Sequence, residues 1–146
     1  MAQNKIEYHI HRDSRLTFKV DAAEVLEIGQ LVELSGDMTV KKAAVNSTKV
    51  LGVVYGGTVG NNGLLSQASL APDFNSGFSG ARKETVTVIT GGSFIYVPLS
   101  GATAGAPVYP AASGGYTVTA GTGPAVGIVV SAATKVAGQA LIKLTV

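Results

Sequence analysis

The two histidines of this chain, His9 and His11, stand one residue apart between Glu7 and Asp13. In an extended strand alternate side chains point the same way, so these four groups would share one side and Tyr8 and Ile10 the other. Imidazole and carboxylate are zinc ligands by type, so a metal site is one reading. No second ligand cluster supports it, and a polar terminus is a poor frame for tetrahedral geometry. The preferred reading is an arm laid as a strand across a neighbour, with no metal. A second chemical candidate, the glycine-rich stretch Gly56–Gly63, lacks the Gly-Lys-Ser/Thr opening and the following helix that a phosphate cradle needs, and reads as a hairpin or surface loop.

Catalysis requires activated groups within hydrogen-bond reach of one another. The chain has no cysteine, and beyond residue 50 its only carboxylates are Asp73 and Glu84. Serine and threonine are plentiful, but no Gly-x-Ser-x-Gly elbow or Ser-x-x-Lys motif marks an activated hydroxyl. No enzyme activity, cofactor or small-molecule substrate is expected. Lys41-Lys42 and Arg82-Lys83 are isolated pairs in a chain of net charge +2, not the basic stripe with interleaved aromatics of a nucleic-acid groove.

The 146 residues suffice for one domain with a core of its own. The start, MAQNKIEYHIHRD, is polar where a secretory signal would be apolar, and no apolar run is long enough to cross a bilayer. Charge is unevenly spread. Residues 1–50 carry seven Lys/Arg and seven Asp/Glu, and the rest only Asp73, Arg82, Lys83, Glu84, Lys135 and Lys143. So little charge on the surface of a soluble chain leaves two readings: another protein covers part of it, or hydroxyls keep it solvated.

Residues 1–15 read as an extended N-terminal arm and 16–146 as a single compact all-β domain, a barrel or sandwich. Expected strands are Leu16–Val20, Gln30–Leu34, Met38–Lys42, Val50–Tyr55, Glu84–Thr90, Ser93–Leu99, Pro107–Pro110, Tyr116–Thr119, Ala125–Val130 and Gln139–Val146, from apolar runs set between Gly, Pro and Ser-Gly punctuation. Asp21–Glu27 suits a helical turn or a bend. Glu84–Thr90 and Ser93–Leu99 read as a hairpin around Gly91-Gly92, with Pro98 marking an end or an edge. Residues 66–83 form a long excursion whose Phe74 and Phe78 either fold back on the domain or dock on a partner.

Two stretches, 28–54 and 104–130, share an order of features. Gly29 and Val32 match Gly105 and Val108; Ser35-Gly36 matches Ser113-Gly114; Thr39-Val40 matches Thr117-Val118; and Leu51-Gly52-Val53-Val54 matches Val126-Gly127-Ile128-Val129. Internal repetition and reuse of a small turn vocabulary both produce such a list.

This pattern, with the Thr103-Ala-Gly-Ala-Pro-Val-Tyr segment and the Lys-Leu-Thr-Val end, resembles the capsid decoration or cement proteins of tailed bacteriophages. The resemblance implies a homotrimer with no active site. It would sit on the outside of the phage head and clamp neighbouring major capsid protein subunits. The arm's position and composition assign the partner contact to Lys5, Tyr8, His9, Ile10, His11, Arg12 and Arg15, with Phe74, Phe78 and Arg82 from the excursion. The alternative is a tail-associated or receptor-binding module that engages a host surface ligand through Phe74 and Phe78.

Overall fold

The computed structural model describes residues 15–22, 24–57, 85–133 and 136–146, and these are all-β. Among the described residues ten strands form: β1 (Arg15–Val20), β2 (Leu31–Gly36), β3 (Thr39–Lys42), β4 (Val50–Gly57), β5 (Thr85–Ile89), β6 (Phe94–Pro98), β7 (Pro107–Ala111), β8 (Gly115–Thr117), β9 (Gly127–Ser131) and β10 (Gln139–Leu144). One 3-10 turn, Ala112–Gly114, joins β7 to β8. The described part of Asp21–Glu27 is one turn residue, Ala22, and irregular chain, without helix.

β1 to β5 close a barrel in the order β1-β3-β2-β4-β5, shut by the antiparallel β1–β5 ladder. A barrel of so few strands has an interior that side chains must fill. Phe18, Val20, Leu26, Val32, Val40, Val54, Val86 and Val88 fill it. The strand residues among them recur at every second position, which is why LTFKV and TVTV read as strands. β6 to β10 form a second sheet in the order β6-β10-β9-β7-β8, whose edge strands β6 and β8 approach within 8 Å, Cα to Cα.

The two sheets are copies of one topology. β6, β7, β8, β9 and β10 pair among themselves as β1, β2, β3, β4 and β5 do, except that the β1–β3 step has no β6–β8 counterpart. The match holds residue by residue. Leu31 faces Val53 and Val32 faces Gly52; Pro107 faces Ile128 and Val108 faces Gly127. Gly29 and Gly105 both have positive φ, and they donate N–H to the carbonyls of Val54 and Val129 at 2.8 Å each. Both copies carry a bulge at the equivalent place, Tyr55 in β4 and Val130 in β9. The anchors Gly29/Gly105, Val32/Val108 and Gly52/Gly127 therefore align as the sequence suggests. The turn anchors do not: from the β2–β3 and β7–β8 registers, Thr39-Val40 corresponds to Gly115-Tyr116, two residues ahead of Thr117-Val118.

The second copy stays open for a reason visible in one residue. In the barrel the parallel β1–β3 step uses the Lys19 N–H, which donates to the Met38 carbonyl at 2.8 Å. The β1–β5 and β6–β10 registers put Pro98 in the place of Lys19. Proline has no N–H to give, so the corresponding β6–β8 bond cannot form. The expected end or edge at Pro98 is found on both counts, since β6 stops there and is an edge strand.

The expected hairpin of Glu84–Thr90 with Ser93–Leu99 is absent. β5 pairs with β1 and β4, and β6 pairs with β10. Gly91 and Gly92 link the two copies, and Gly92 (φ 92°) donates its N–H to the Leu144 carbonyl at 2.9 Å. The turn chemistry is legible there, whereas the partner is not, because pairing is set by strands distant in sequence. The last strand, β10, lies between β6 and β9.

Candidate functional site

Leu31, Val53 and Ile89 lie side by side on β2, β4 and β5, next to residues that face the barrel interior. Successive strand residues point to opposite faces, so this row lies on the outside of the barrel. It is nevertheless buried, sharing one core with Val97, Val108, Val129, Ile142 and Leu144 of the second copy. The second copy thus forms a continuous core with one outer face of the first.

Backbone and polar contacts fix that junction. The Gly114 N–H donates to the Ala43 carbonyl at 3.1 Å, and the Tyr116 hydroxyl donates to the Gly29 carbonyl at 2.6 Å. Burial raises the Tyr116 pKa, so the phenol stays protonated and keeps this donor. Asn46, at φ 62°, accepts from the Thr122 N–H through its side-chain oxygen at 2.9 Å. A depression of about 310 Å³ lies beside it, between the Val45–Asn46 bend and Tyr109–Ala112. Its lining is largely apolar and uncharged, and the Asn46 oxygen is already engaged, so it offers little to orient a small polar ligand.

Glu33 is the buried carboxylate of the described residues. Burial pushes its pKa up, but hydrogen bonds from the Ser47 hydroxyl and the Ala44 N–H (3.0 Å), with the Lys41 ammonium at 3.5 Å, hold it below the usual 4.5. It ties β2 to β3 and to the bend that follows. A carboxyl with a lowered folded pKa contributes stability above its unfolded value and loses it as pH falls through the folded one. The melting temperature of the wild type should therefore drop on acidification below about pH 4.5. Glu33→Gln should flatten that drop, as measured by melts across the acid range, and an unchanged profile would contradict this role.

Among the described residues no three of His, Cys, Asp and Glu gather as metal ligands do. Of the sequence-predicted contact residues, Arg15 is described. It opens β1 opposite Ile89, with its guanidinium 5.0 Å from the centre of the Tyr55 ring, at cation–π range. Lys5, Tyr8, His9, Ile10, His11, Arg12, Phe74, Phe78 and Arg82 lie outside the described residues.

No family model matches the chain. No curated protein matches it in sequence either.

What sequence reasoning missed is a row on the second copy. Phe94, Lys143, Ile128 and Pro107 are neighbours across β6, β10, β9 and β7, and all are exposed. Phe94 is 60 % and Ile128 44 % exposed, with Tyr96 (64 %) two residues along β6 and Val130 on the bulge. Alternation put Phe94 and Tyr96 on one face. Nothing local says that β9 and β10 lie beside them, so the row's width was not visible in the sequence.

Proposed function

We propose that this chain is a structural virion protein, added as a homotrimer to the outside of a phage head, where it clamps neighbouring major capsid protein subunits. The observation that carries this reading is the wide exposed row of the second copy, in which Phe94, Ile128 and Pro107 surround a single charged side chain, Lys143, a surface that suits another protein better than a small ligand or a nucleic acid. The capsid as destination comes from the sequence resemblance. Lys135 and Lys143 are the only charged side chains from residue 94 onward, which fits a surface built for protein contact more than for solvent.

In this reading the division of labour is physical. A shell under outward pressure fails at the junctions between its subunits, and a trimer that touches several of them adds small interfaces that must break together. Residues 1–14 supply reach and backbone hydrogen bonds by strand addition, and the paired β copies supply a rigid body. Arg15 stays with that body, since it is held in the β1–β5 ladder.

Deleting residues 1–14 is expected to leave a folded β body whose apparent affinity for undecorated shells falls on the order of 10²-fold, the scale of a lost avidity contribution. Co-sedimentation of the truncated and full chains with such shells measures it. Unchanged occupancy by the truncated chain rejects the clamp.

A further inference from the structure

The bend that follows β3 faces two ways. Towards the first copy it is framed by Glu33, whose carboxylate accepts from the Ala44 N–H at 3.0 Å and from the Ser47 hydroxyl, with the Lys41 ammonium at 3.5 Å. Ser47 also accepts from the Lys49 N–H at 3.1 Å, and its own N–H donates to the Ala44 carbonyl at 3.2 Å. Towards the second copy the same bend presents Asn46, whose side-chain oxygen accepts from the N–H groups of Thr122 and Gly123 at 2.9 and 3.4 Å. The fit there is close. A Cβ on Gly121 would land on that oxygen, and one on Gly123 would lie 2.7 Å from the Asn46 backbone. Ala44 and Ser47, the two residues bound to Glu33, thus bracket the residue that grips the second copy.

We infer that this bend is an acid-released latch between the two copies: ionised Glu33 holds it in the shape that seats Asn46 against Thr122 and Gly123, and protonation of Glu33 unseats it. A carboxylate offers two acceptor oxygens to the Ala44 N–H, the Ser47 hydroxyl and the Lys41 ammonium. The protonated acid keeps one good acceptor and turns the other oxygen into a donor, so the three donors lose part of their frame. The control lies with one group. Lys41 of β3 is the charged side chain that faces Glu33, β4 places Val50 opposite it, and the neighbouring Lys49 is exposed. On the far side of β3, Glu24 accepts from the Lys42 N–H at 3.2 Å, and Asp21 donates its N–H to the Val40 carbonyl at 2.9 Å.

The sign follows from Glu33 being held below the usual 4.5: the latch is shut at neutral pH and opens as the pH falls below that value. Val45 and Asn46 form one wall of the depression whose other wall includes Tyr109–Ala112, so opening bares its apolar lining. None of this depends on the capsid reading, and the test uses the protein alone, so either can fail while the other stands.

The experiment is backbone amide exchange by NMR on the full chain, from about pH 7 to about pH 3, across the range in which Glu33 titrates. The Thr122 amide should lose protection about tenfold on acidification, the scale of one hydrogen bond to a charged group. The Gly114 and Val126 amides, bonded to the Ala43 and Val108 carbonyls, should keep theirs. Glu33→Gln should show the unprotected Thr122 amide already at neutral pH. Asn46→Gly suits the positive φ of that position and removes the grip. It should leave Thr122 unprotected at every pH and, because coupling is reciprocal, let Glu33 titrate higher than in wild type, as read from its carboxyl carbon shift. A Thr122 amide equally protected at both ends of the pH range overturns the inference. So does an acid step that survives Glu33→Gln, which would assign it to another carboxylate, or a Glu33 titration unmoved by Asn46→Gly. Simultaneous loss of protection at Thr122, Gly114 and Val126 also overturns it, since that is unfolding of the whole body.

Discussion

Gly52→Ala is expected to destabilise the protein by about 3 kcal/mol or more, at or beyond the upper end of ordinary overpacking. Gly52 lies in β4 opposite Val32, and a Cβ built there lands on the Ile89 carbonyl oxygen and 2.9 Å from Cγ1 of Val88. The obstacle is backbone, so no rotamer change relieves it. β5 cannot step aside, because it is laddered to β4 on one side and to β1 on the other, in a closed barrel. The same substitution at Gly127 makes a useful control. Its Cβ meets the Lys143 carbonyl oxygen at 2.8 Å, the equivalent atom, but in a sheet that is open between β6 and β8 and can yield. Urea titrations should rank wild type above Gly127→Ala and Gly127→Ala above Gly52→Ala. A Gly52 variant as stable as wild type would mean that the barrel is far more plastic than its closed ladders imply.

The second large effect concerns Leu31. It is fully buried on the outside of the barrel, in the core that the second copy also occupies. Truncating a leucine in such a place costs about 2–5 kcal/mol, from lost transfer energy and the cavity left behind. Because the cavity belongs to both copies, Leu31→Ala should lower the stability of the whole body through one transition, not release one copy from the other. Tyrosine emission, weighted toward Tyr96, Tyr109 and Tyr116 of the second copy, and far-UV circular dichroism should report coincident unfolding curves. Two resolved transitions in the wild type would show the copies to be independent.

The residues that made strands legible were those under local control. LTFKV, TVTVI and QALIKL alternate because one face of each fills an interior, and that pattern survives without knowledge of partners. Partner choice is not local. Glu84–Thr90 and Ser93–Leu99 flank a turn that any hairpin would accept, yet β5 closes one copy and β6 begins the next. The repeat was legible where backbone geometry demands glycine, at Gly29 and Gly105 for positive φ and at Gly52 and Gly127 for close approach. It was illegible in β1 against β6, where Arg15–Lys19 and Phe94–Pro98 share a register but hardly a residue type. The bare row was hidden for the same reason, since its width comes from the order β6-β10-β9-β7, which no stretch of sequence announces.

The Thr90–Ser93 link holds the two copies together through a few residues. A short tether gives the partner it holds an effective concentration in the millimolar range, far above that of a dilute solution. The junction inside the chain therefore forms regardless of how much protein is present.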